Sequence, residues 1–431
     1  FCFMLLLFGR VCGRVGKGSS IPSSSFCFSS VARKRTMSRT AVELEQSSIR
    51  RIMGIAWDLE AQGRKVLHLE VGQPDFDSPV HAVEAAKAAL DRGMTKYIPN
   101  AGLMSLREAI AKRYCVRAPN CVTTAENIMV SHGSMFAYTT ALHATIDPGD
   151  EVLIPDPGYP NYSMTVEMLR GKPVYYTLER HNNFLPSLEE LQSKMSDRTK
   201  MIIVCSPSNP TGSVLSLEQM QSLSTFAASN GIFLLSDEIY SDIVFLSSNR
   251  TVAPSALETD HDPDRTIVVS GVAKNYSMTG FRVGWLRACK EIVEVSAKLQ
   301  EPFLSCGVPF AQVAAQVALE GDQTCVTKMA AEYERRRNTA IQVLERNNLG
   351  DGVVAPEGAF YMLVPCEGDS HDFAEGLIRE KSVAVAPGGS FGVNSENCVR
   401  LAFAQHEDVV AEGVQRFCDY VKELRGRTVK S

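Results

Sequence analysis

The sequence predicts an α/β fold in which a mostly parallel sheet is covered by helices on both faces. Short apolar runs alternate with segments of helical periodicity through the middle of the chain, a pattern typical of such folds. Polar motifs follow several of these runs directly. With 431 residues, the chain is long enough for two domains or for one large domain with a smaller lobe.

Three elements are predicted before the first strand of the main sheet. Residues 42–61 suit an amphipathic helix, residues 66–71 a short strand, and residues 80–92 a helix with Pro79 at its start. The apolar runs that predict the following strands are residues 128–130, 151–154, 173–176, 201–205, 232–235 and 266–269. Their length and apolar character favour buried strands.

The last third of the chain carries a second set of elements. A helix is expected from about Cys306 to Ala318, and a long charged helix over residues 328–347. Shorter strands follow at residues 359–364, 383–385 and 399–403.

The charge distribution argues against a nucleic-acid partner. The net charge is −5, yet residues 1–42 contain seven Lys or Arg residues and no acid, which leaves −12 on the rest of the chain. An acidic body lacks the basic face that neutralises the phosphates of a nucleic acid.

Residues 1–42 are expected to be disordered and form a possible targeting segment. They are rich in Ser and Arg and free of acids, as organellar transit peptides are. The apolar opening is too short to cross a bilayer, and no membrane association is expected. A mitochondrial or plastid location follows if this segment is a transit peptide, and a cytoplasmic one if Met37 is the true start.

The twelve cysteines show no C-x-x-C or other metal-ligand spacing, and the eight histidines are dispersed. We therefore expect a reducing compartment, no disulfide framework and no metal site.

Five polar motifs follow apolar runs in succession, and together they predict a single site. In an open α/β sheet, ligands bind beyond the carboxyl ends of the strands. Five loops that reach one edge of a sheet therefore describe one site. The motifs are residues 131–134, 156–159, 206–212, 237–240 and 270–274.

The last of these motifs holds a lysine suited to carbonyl chemistry. Lys274 lies just past the strand at residues 266–269, among small residues, and Arg282 follows eight positions later. A partly desolvated lysine loses its proton readily and forms a Schiff base with a carbonyl. Arg282 offers a fixed fork for an anion such as phosphate. Pyridoxal 5′-phosphate (PLP) needs this combination of groups.

Residues 270–285 resemble the lysine signature of class I/II aminotransferases, which are PLP enzymes of fold type I. Further motifs of the family follow in the expected order from about Leu69 to Phe403. The resemblance implies a large domain with a mostly parallel seven-stranded sheet and a smaller α+β domain built from both chain ends. It places an amino-terminal arm and part of the small domain at residues 43–92, the PLP-binding domain at 93–305, and the rest of the small domain at 306–431.

Asp237 ends the apolar run at residues 232–235. A carboxylate buried there is costly unless a positive group pairs with it. The resemblance assigns it to the protonated pyridine nitrogen of PLP, which makes the ring an electron sink. The alternative is that Asp237 caps the next helix. Glu238 is expected to serve the structure.

The resemblance also implies the other cofactor contacts. Asn209, which opens the sequence N-P-T-G, and Tyr240 hydrogen-bond the phenolic oxygen. Ser134 and the backbone of Met135 hold the phosphate at a helix N-terminus, and Ser270 is a further candidate for that contact. Tyr159 stacks on the ring, unless it is a core tyrosine. Tyr97 reaches the phosphate of a partner subunit, which implies a homodimer with shared active sites.

Arg400 lies inside an apolar strand, where an arginine is rarely buried without a partner. Its planar fork suits the α-carboxylate of a substrate, the role of the matching family arginine. Gly72 lets its backbone approach the same carboxylate, and Asn209 also contacts the substrate.

The resemblance predicts an aminotransferase that moves an amino group between an amino acid and a 2-oxo acid. Lys274 is the general base and acid, and Asp237 and Tyr240 complete the catalytic set. Two alternatives remain: another fold-type-I PLP enzyme, such as a C–S lyase or decarboxylase, and a non-catalytic ligand sensor. Some aspartate-specific relatives carry a basic residue for the distal carboxylate, but the sequence does not place one. The apolar Met135 instead favours neutral or aromatic substrates.

Overall fold

The computed structural model describes Met37 and residues 48–245, 251–260 and 262–428. The described residues from Ser48 onward belong to one compact unit. Apart from Met37, the predicted targeting segment at residues 1–42 lies outside the described residues. The predicted domain boundaries at residues 92 and 305 stay predictions.

Twelve strands are formed by the described residues. They are β1 (Leu67–His68), β2 (Ile128–Ser131), β3 (Glu151–Asp156), β4 (Lys172–Thr177), β5 (Thr199–Cys205), β6 (Phe233–Asp237), β7 (Thr266–Gly271), β8 (Gly284–Arg287), β9 (Tyr361–Pro365), β10 (Val383–Ala384), β11 (Ala386–Pro387) and β12 (Cys398–Ala402).

The α-helices of the described residues surround these strands. They are α1 (Ser48–Ala61), α2 (Val80–Asp91), α3 (Met104–Arg117), α4 (Ser134–Thr145), α5 (Asn161–Met168), α6 (Leu188–Lys194), α7 (Leu217–Ser229), α8 (Lys290–Leu304), α9 (Pro309–Glu320), α10 (Thr324–Arg346), α11 (Ser370–Lys381) and α12 (Glu407–Thr428).

Seven strands form the central sheet in the order β2-β8-β7-β6-β5-β3-β4. The neighbouring strands β4, β3, β5, β6 and β7 pair in parallel, whereas β8 is antiparallel to both β2 and β7. The predicted mostly parallel seven-stranded sheet is therefore confirmed. The sequence analysis missed β8, because its first two residues lie inside the lysine motif and its four residues form no apolar run of their own.

The central sheet is buried on both faces, as expected for a helix-covered parallel sheet. Val268 of β7 packs in one core with neighbours on β5 and β6. Ile267 and Val269, which point the opposite way, pack in another core with Ile203 and Leu235.

Two smaller sheets join distant parts of the chain. Strands β11, β12 and β9 form an antiparallel sheet. Strands β1 and β10 pair in parallel, with Leu67 opposite Val383. This pairing joins a segment from the first part of the described chain to one from its last part, and it confirms the smaller α+β part. The two-residue strand β11 was too short to be predicted.

The strand directions place the functional loops at one edge. Because β8 is antiparallel to both β2 and β7, β2 runs in the same direction as β7. The segments that follow β2, β5, β6 and β7 therefore leave the central sheet at the same edge.

In the described part of the chain, no helix is both long and apolar enough to span a membrane.

Candidate active site

A cavity of about 450 Å³ opens where these segments leave the sheet. Most of the residues predicted for the site line it: Gly72, Ser134, Met135, Tyr159, Asn209, Asp237, Tyr240, Lys274, Arg282 and Arg400. Segments that are far apart in the sequence thus converge on one cavity.

Within residues 48–245, 251–260 and 262–428, no three His, Cys, Asp or Glu side chains gather as a metal site requires.

Lys274 follows β7 and points into the cavity. Its Nζ donates a hydrogen bond to the carbonyl oxygen of Gly72 at 2.6 Å. Burial lowers the pKa of Lys274 to about 8, and the positive charges of Arg400 and Arg282 act in the same direction. Lys274 therefore loses its proton far more readily than an ordinary lysine.

Asp237 is the last residue of β6 and is buried. Its Oδ2 accepts a hydrogen bond from the hydroxyl of Tyr162 at 2.7 Å, and its Oδ1 accepts one from the backbone N–H of Ile239 at 3.1 Å. Burial raises the pKa of Asp237 to about 6. Among the described residues, no Lys, Arg or His nitrogen lies within ion-pair distance of Asp237. No α-helix begins beside it in the described chain, so the helix-capping alternative is wrong.

Arg400 lies in the middle of β12 and is buried between aromatic rings. Its guanidinium carbon is 4.4 Å from the ring centroid of Tyr361 and 4.8 Å from that of Phe391. Nη1 donates to Asn209 Oδ1 at 3.1 Å, Nη2 donates to the carbonyl of Glu70, and Nε has no partner within the described structure. Burial lowers the pKa of Arg400. An anion is thus the missing counterpart of this guanidinium.

Tyr361 contacts Tyr240, Gly72 and Arg400 in the cavity, although the sequence analysis did not single it out. Its hydroxyl is 2.9 Å from that of Tyr240. A Cβ at Gly72 would lie only 1.7 Å from the Tyr361 hydroxyl, so this contact requires glycine. Tyr361 lies in a predicted strand and resembles an ordinary core residue there. Tyr162 was missed for a similar reason, although it lies only three positions after Tyr159.

The start of α4 and the Arg282 guanidinium form an anion-binding cradle. Gly133 precedes α4 with φ of 79°. A Cβ at this position would lie 2.5 Å from Nη2 of Arg282, which shows how closely the guanidinium approaches the helix start. Ser134 and Met135 supply the first N–H groups of the helix. Free N–H groups beside an arginine favour a phosphate.

Tyr159 forms part of the cavity wall and is half-buried. Its ring packs edge-on against that of Tyr162, with centroids 5.6 Å apart, and its hydroxyl accepts a hydrogen bond from Asn161 at 3.0 Å. A face of an aromatic ring is thus available at the wall of the cavity.

Two predicted residues lie outside this cavity. Ser270 is buried, and its hydroxyl donates to the carbonyl of Glu238 at 3.2 Å. The alternation of β7 turns Ser270 to the same face as Val268, so we withdraw it as a phosphate contact. Tyr97 is 87% exposed on the surface, and its contact with a partner subunit stays a prediction.

Glu238 lies behind the cavity and serves the structure. Its Oε1 accepts hydrogen bonds from the hydroxyls of Ser255 and Ser236 and from the N–H of Ala256, and Arg117 lies 3.4 Å from Oε2. These contacts hold the segment after β6 in place beside the cavity.

The cavity suits PLP on structural grounds. Asp237 is a buried carboxyl group without a cation, the α4 cradle is adapted to a phosphate, and Lys274 has the lowered pKa that carbonyl chemistry requires. Fold and site together define an α/β enzyme that uses a reactive lysine on anionic ligands.

Comparison with known proteins identifies the family. Residues 64–419 match the family model of aminotransferase class I and II. An aspartate aminotransferase of Pyrococcus abyssi is 36% identical over 376 residues, covering 86% of this chain and 95% of the relative. An aromatic-amino-acid aminotransferase of Thermococcus litoralis is 34% identical over 385 residues, covering 88% and 96%. The crystal structure of an aspartate aminotransferase from Thermotoga maritima has a TM-score of 0.84 at 32% identity, covering 90% of this chain and all of that one.

The chain belongs to the class I and II aminotransferases, and it is a transaminase. Enzymes of this family act on amino acids and 2-oxo acids and generally depend on PLP. The family and the activity predicted from the sequence are therefore confirmed.

The lowered pKa of Lys274 predicts unusual reactivity in the cofactor-free protein. Below pH 8 its amine is mostly protonated and unreactive, and above pH 8 it is mostly free. Competitive acetylation over a pH series, quantified by peptide mass spectrometry, should give a midpoint near pH 8. Lys290 is the internal comparison, because its ion pair with Glu126 raises its pKa. Equal midpoints for Lys274 and Lys290 would contradict the prediction.

Proposed function

We propose that this transaminase binds PLP in the cavity and is attached to it through Lys274. The observation that carries the proposal is the pairing, in one cavity, of a lysine of lowered pKa with a buried carboxyl group that lacks a cation. When bound, PLP supplies the carbonyl group that condenses with an amine and the ring that withdraws electrons from the substrate α-carbon.

Each residue that would hold the cofactor is suited to one chemical group of PLP. Asp237 would accept a hydrogen bond from the protonated pyridine nitrogen, and its ionised form would be favoured by that positive charge. Asn209 gives its Oδ1 to Arg400, so its Nδ2 is left to donate to the phenolic oxygen beside the Tyr240 hydroxyl. Tyr159 would cover one face of the ring. Ser134, the Met135 N–H and Arg282 would bind the phosphate.

Two residues would act on the substrate directly. Arg400 would bind the α-carboxylate, because its Nε has no hydrogen-bond partner among the described residues and its contacts with aromatic rings fix the plane of the guanidinium. Lys274 Nζ, once freed from the cofactor, would take the proton from the α-carbon of the amino donor and pass it on in the first half of the transfer. In the second half it would deliver a proton to the α-carbon of the new amino acid. A pKa near neutrality suits both directions of this proton transfer.

The relatives favour transamination over the two alternatives. The similar proteins from Pyrococcus abyssi and Thermococcus litoralis are both named aminotransferases. A lyase or decarboxylase would need the same lysine but a different fate for the α-carbon substituents. A ligand sensor would have no need for the full set of Lys274, Asp237 and Arg400.

Attachment of the cofactor is tested by reduction and peptide mapping. After incubation with PLP and borohydride, the reduced pyridoxyl group should be found on the peptide that contains Lys274. The Lys274→Ala variant should lose this label and show no transamination with a panel of amino donors and either 2-oxoglutarate or pyruvate. A label on Lys290 or Lys298 would overturn the assignment.

We further propose that the enzyme is a homodimer whose subunits share their active sites. Tyr97, Met104 and Phe303 are 87%, 55% and 63% exposed. Gln300 donates to the carbonyl of Asn100 at 2.7 Å, and Asn100 donates to Glu301 at 3.2 Å. These contacts place Asn100, three residues after Tyr97, beside the end of α8 that carries Phe303, and we infer that the exposed apolar side chains form one patch. A second copy of the chain would cover this patch, and Tyr97 would reach the phosphate of the PLP bound to that copy.

Complementation between two inactive variants tests the shared site. Tyr97→Ala and Lys274→Ala are mixed under conditions that allow subunit exchange, and transamination is measured. A heterodimer has one site with both lesions and one with neither, so activity should return to a fraction of the wild-type value. If exchange is verified by mass spectrometry of the dimers and the mixture stays inactive, Tyr97 serves its own subunit.

For the substrate, we propose a preference for amino acids with an acidic side chain. Arg50 on α1 lines the cavity together with Arg282 and Arg400. Its only hydrogen bond to a described residue is a weak one of 3.9 Å to the sulfur of Met53. The phosphate would use Arg282 and the α-carboxylate Arg400, so Arg50 remains for a second carboxylate. This revises the neutral or aromatic preference inferred from Met135.

Neighbouring arginines allow a matched test. Arg50→Met should lower kcat/KM for aspartate and glutamate by about tenfold or more, because a hydrogen bond between charged groups is lost. The value for phenylalanine should stay the same or rise. Arg51→Met is the control, since Arg51 pairs with Glu375 at 2.5 Å and lies outside the cavity lining. An equal loss for acidic and neutral substrates would contradict a role in side-chain selection.

A further inference from the structure

The loop at residues 72–78, between β1 and α2, contacts both the lysine segment and helix α10. At its first residue, the carbonyl of Gly72 accepts the hydrogen bond from Lys274 Nζ at 2.6 Å. Further along, the Ser78 hydroxyl donates to the carbonyl of Ser277 at 2.8 Å, and the Ser277 hydroxyl donates to the carbonyl of Phe76. The loop is therefore tied to the segment that carries Lys274 at three points.

The same loop is anchored to α10 by an ion pair. Asp75 Oδ1 lies 2.8 Å from Nη1 of Arg336, whose side chain is only 3% exposed. The Arg336 guanidinium also lies over the ring of Phe76 at 4.9 Å. Phe76 in turn packs edge-on against Tyr333 of α10, with centroids 5.5 Å apart. Both a charged and an aromatic contact thus fix the loop from its outer side.

Arg336 does not depend on Asp75 for its own burial. Its Nε donates to Glu332 at 2.9 Å, and its Nη1 donates to the carbonyl of Ala404 at 2.9 Å. Removing the carboxylate of Asp75 therefore leaves Arg336 with one acidic partner and one carbonyl partner. The loop, by contrast, loses its only ion pair within the described structure. The ion pair thus acts mainly on the position of the loop.

We propose that the Asp75–Arg336 ion pair is a positioning device that holds the Gly72 carbonyl against Lys274 and so stabilises the ammonium form of this lysine. The inference adds to the role proposed for Lys274, and it concerns residues that do not touch the substrate. A carbonyl oxygen that accepts a hydrogen bond favours the charged form of an amine. The loop would thereby help to set the pH at which Lys274 takes up a proton.

Other charged groups around Lys274 come from different elements and stay unchanged in the test. Asp237 at the end of β6 favours the ammonium form, whereas Arg400 on β12 and Arg282 before β8 oppose it. Since none of these three groups is substituted, a change in the acetylation midpoint of Lys274 reports the effect of the loop.

The experiment measures the acetylation midpoint of Lys274 in the cofactor-free protein, so that it does not depend on activity. Asp75→Asn should lower the midpoint by about one pH unit, because the hydrogen bond to the charged amine is weakened. Asp77→Asn is the matched control: it removes the same charge from the same loop, and Asp77 has no ion pair with Arg336. Its midpoint should equal that of the wild type.

A second variant separates position from charge. Arg336→Lys keeps the positive charge but loses the fork that reaches Asp75, Glu332 and the Ala404 carbonyl together. The midpoint should fall as in Asp75→Asn. A shift in Asp75→Asn alone would reveal a simple charge effect and overturn the proposal, as would unchanged midpoints in both variants. If neither variant folds, as judged by circular dichroism, the pair serves stability and the proposal is also overturned.

The outcome is distinguishable from failure of the proposed function. Borohydride mapping of the wild type reports whether Lys274 carries the cofactor, and it does not involve Asp75 or Arg336. A label elsewhere would remove the catalytic role of Lys274 while leaving the measured effect of the loop on its protonation intact.

Discussion

Parallel pairing in the central sheet is the constraint on which the site depends. Strands β3 to β7 run in one direction, and β2 shares it because β8 is antiparallel to its two neighbours. Chain segments that leave these strands must therefore start from the same edge. Ser134, Asn209, Asp237 and Lys274 are separated by up to 140 positions in the sequence, yet each follows or ends a strand at this edge. The site needs no long loop to bring them together.

Two buried charges that line the cavity lack ionic partners in the described structure, and their surroundings compensate only in part. Asp237 has two hydrogen-bond donors, and Arg400 has two acceptors and two aromatic rings. Burial nevertheless shifts the pKa of each group toward its neutral form. A protein tolerates this cost, which is several kcal/mol for an uncompensated charge, where charged ligands complete the pairs. A cation is favoured at Asp237 and an anion at Arg400.

The sequence predicted the central sheet and most of the cavity because the informative residues directly follow apolar runs. Lys274, Asp237 and Asn209 are polar groups at strand ends, and Arg400 is a charge inside a strand, so each stands out from its surroundings. Tyr361 and Tyr162 do not stand out, since a tyrosine in an apolar segment resembles a core residue. Ser270 was misplaced because its position relative to Lys274 was compared with a motif, whereas the alternation of β7 decides its direction. Arg50 has no distinctive neighbours, and only the packing of α1 beside the cavity reveals it.

The close approach of Gly72 to Tyr361 also limits how the sequence can diverge. A Cβ at position 72 would lie 1.7 Å from the tyrosine hydroxyl and 2.6 Å from its ring carbon Cζ, so removing the hydroxyl alone would not make room for alanine. Position 72 can accept a side chain only in a background where position 361 has already become much smaller. That change would in turn remove the hydroxyl beside Tyr240 and the ring over Arg400. The two positions are therefore epistatic: a single substitution at residue 72 is expected to disrupt the site unless residue 361 has changed first.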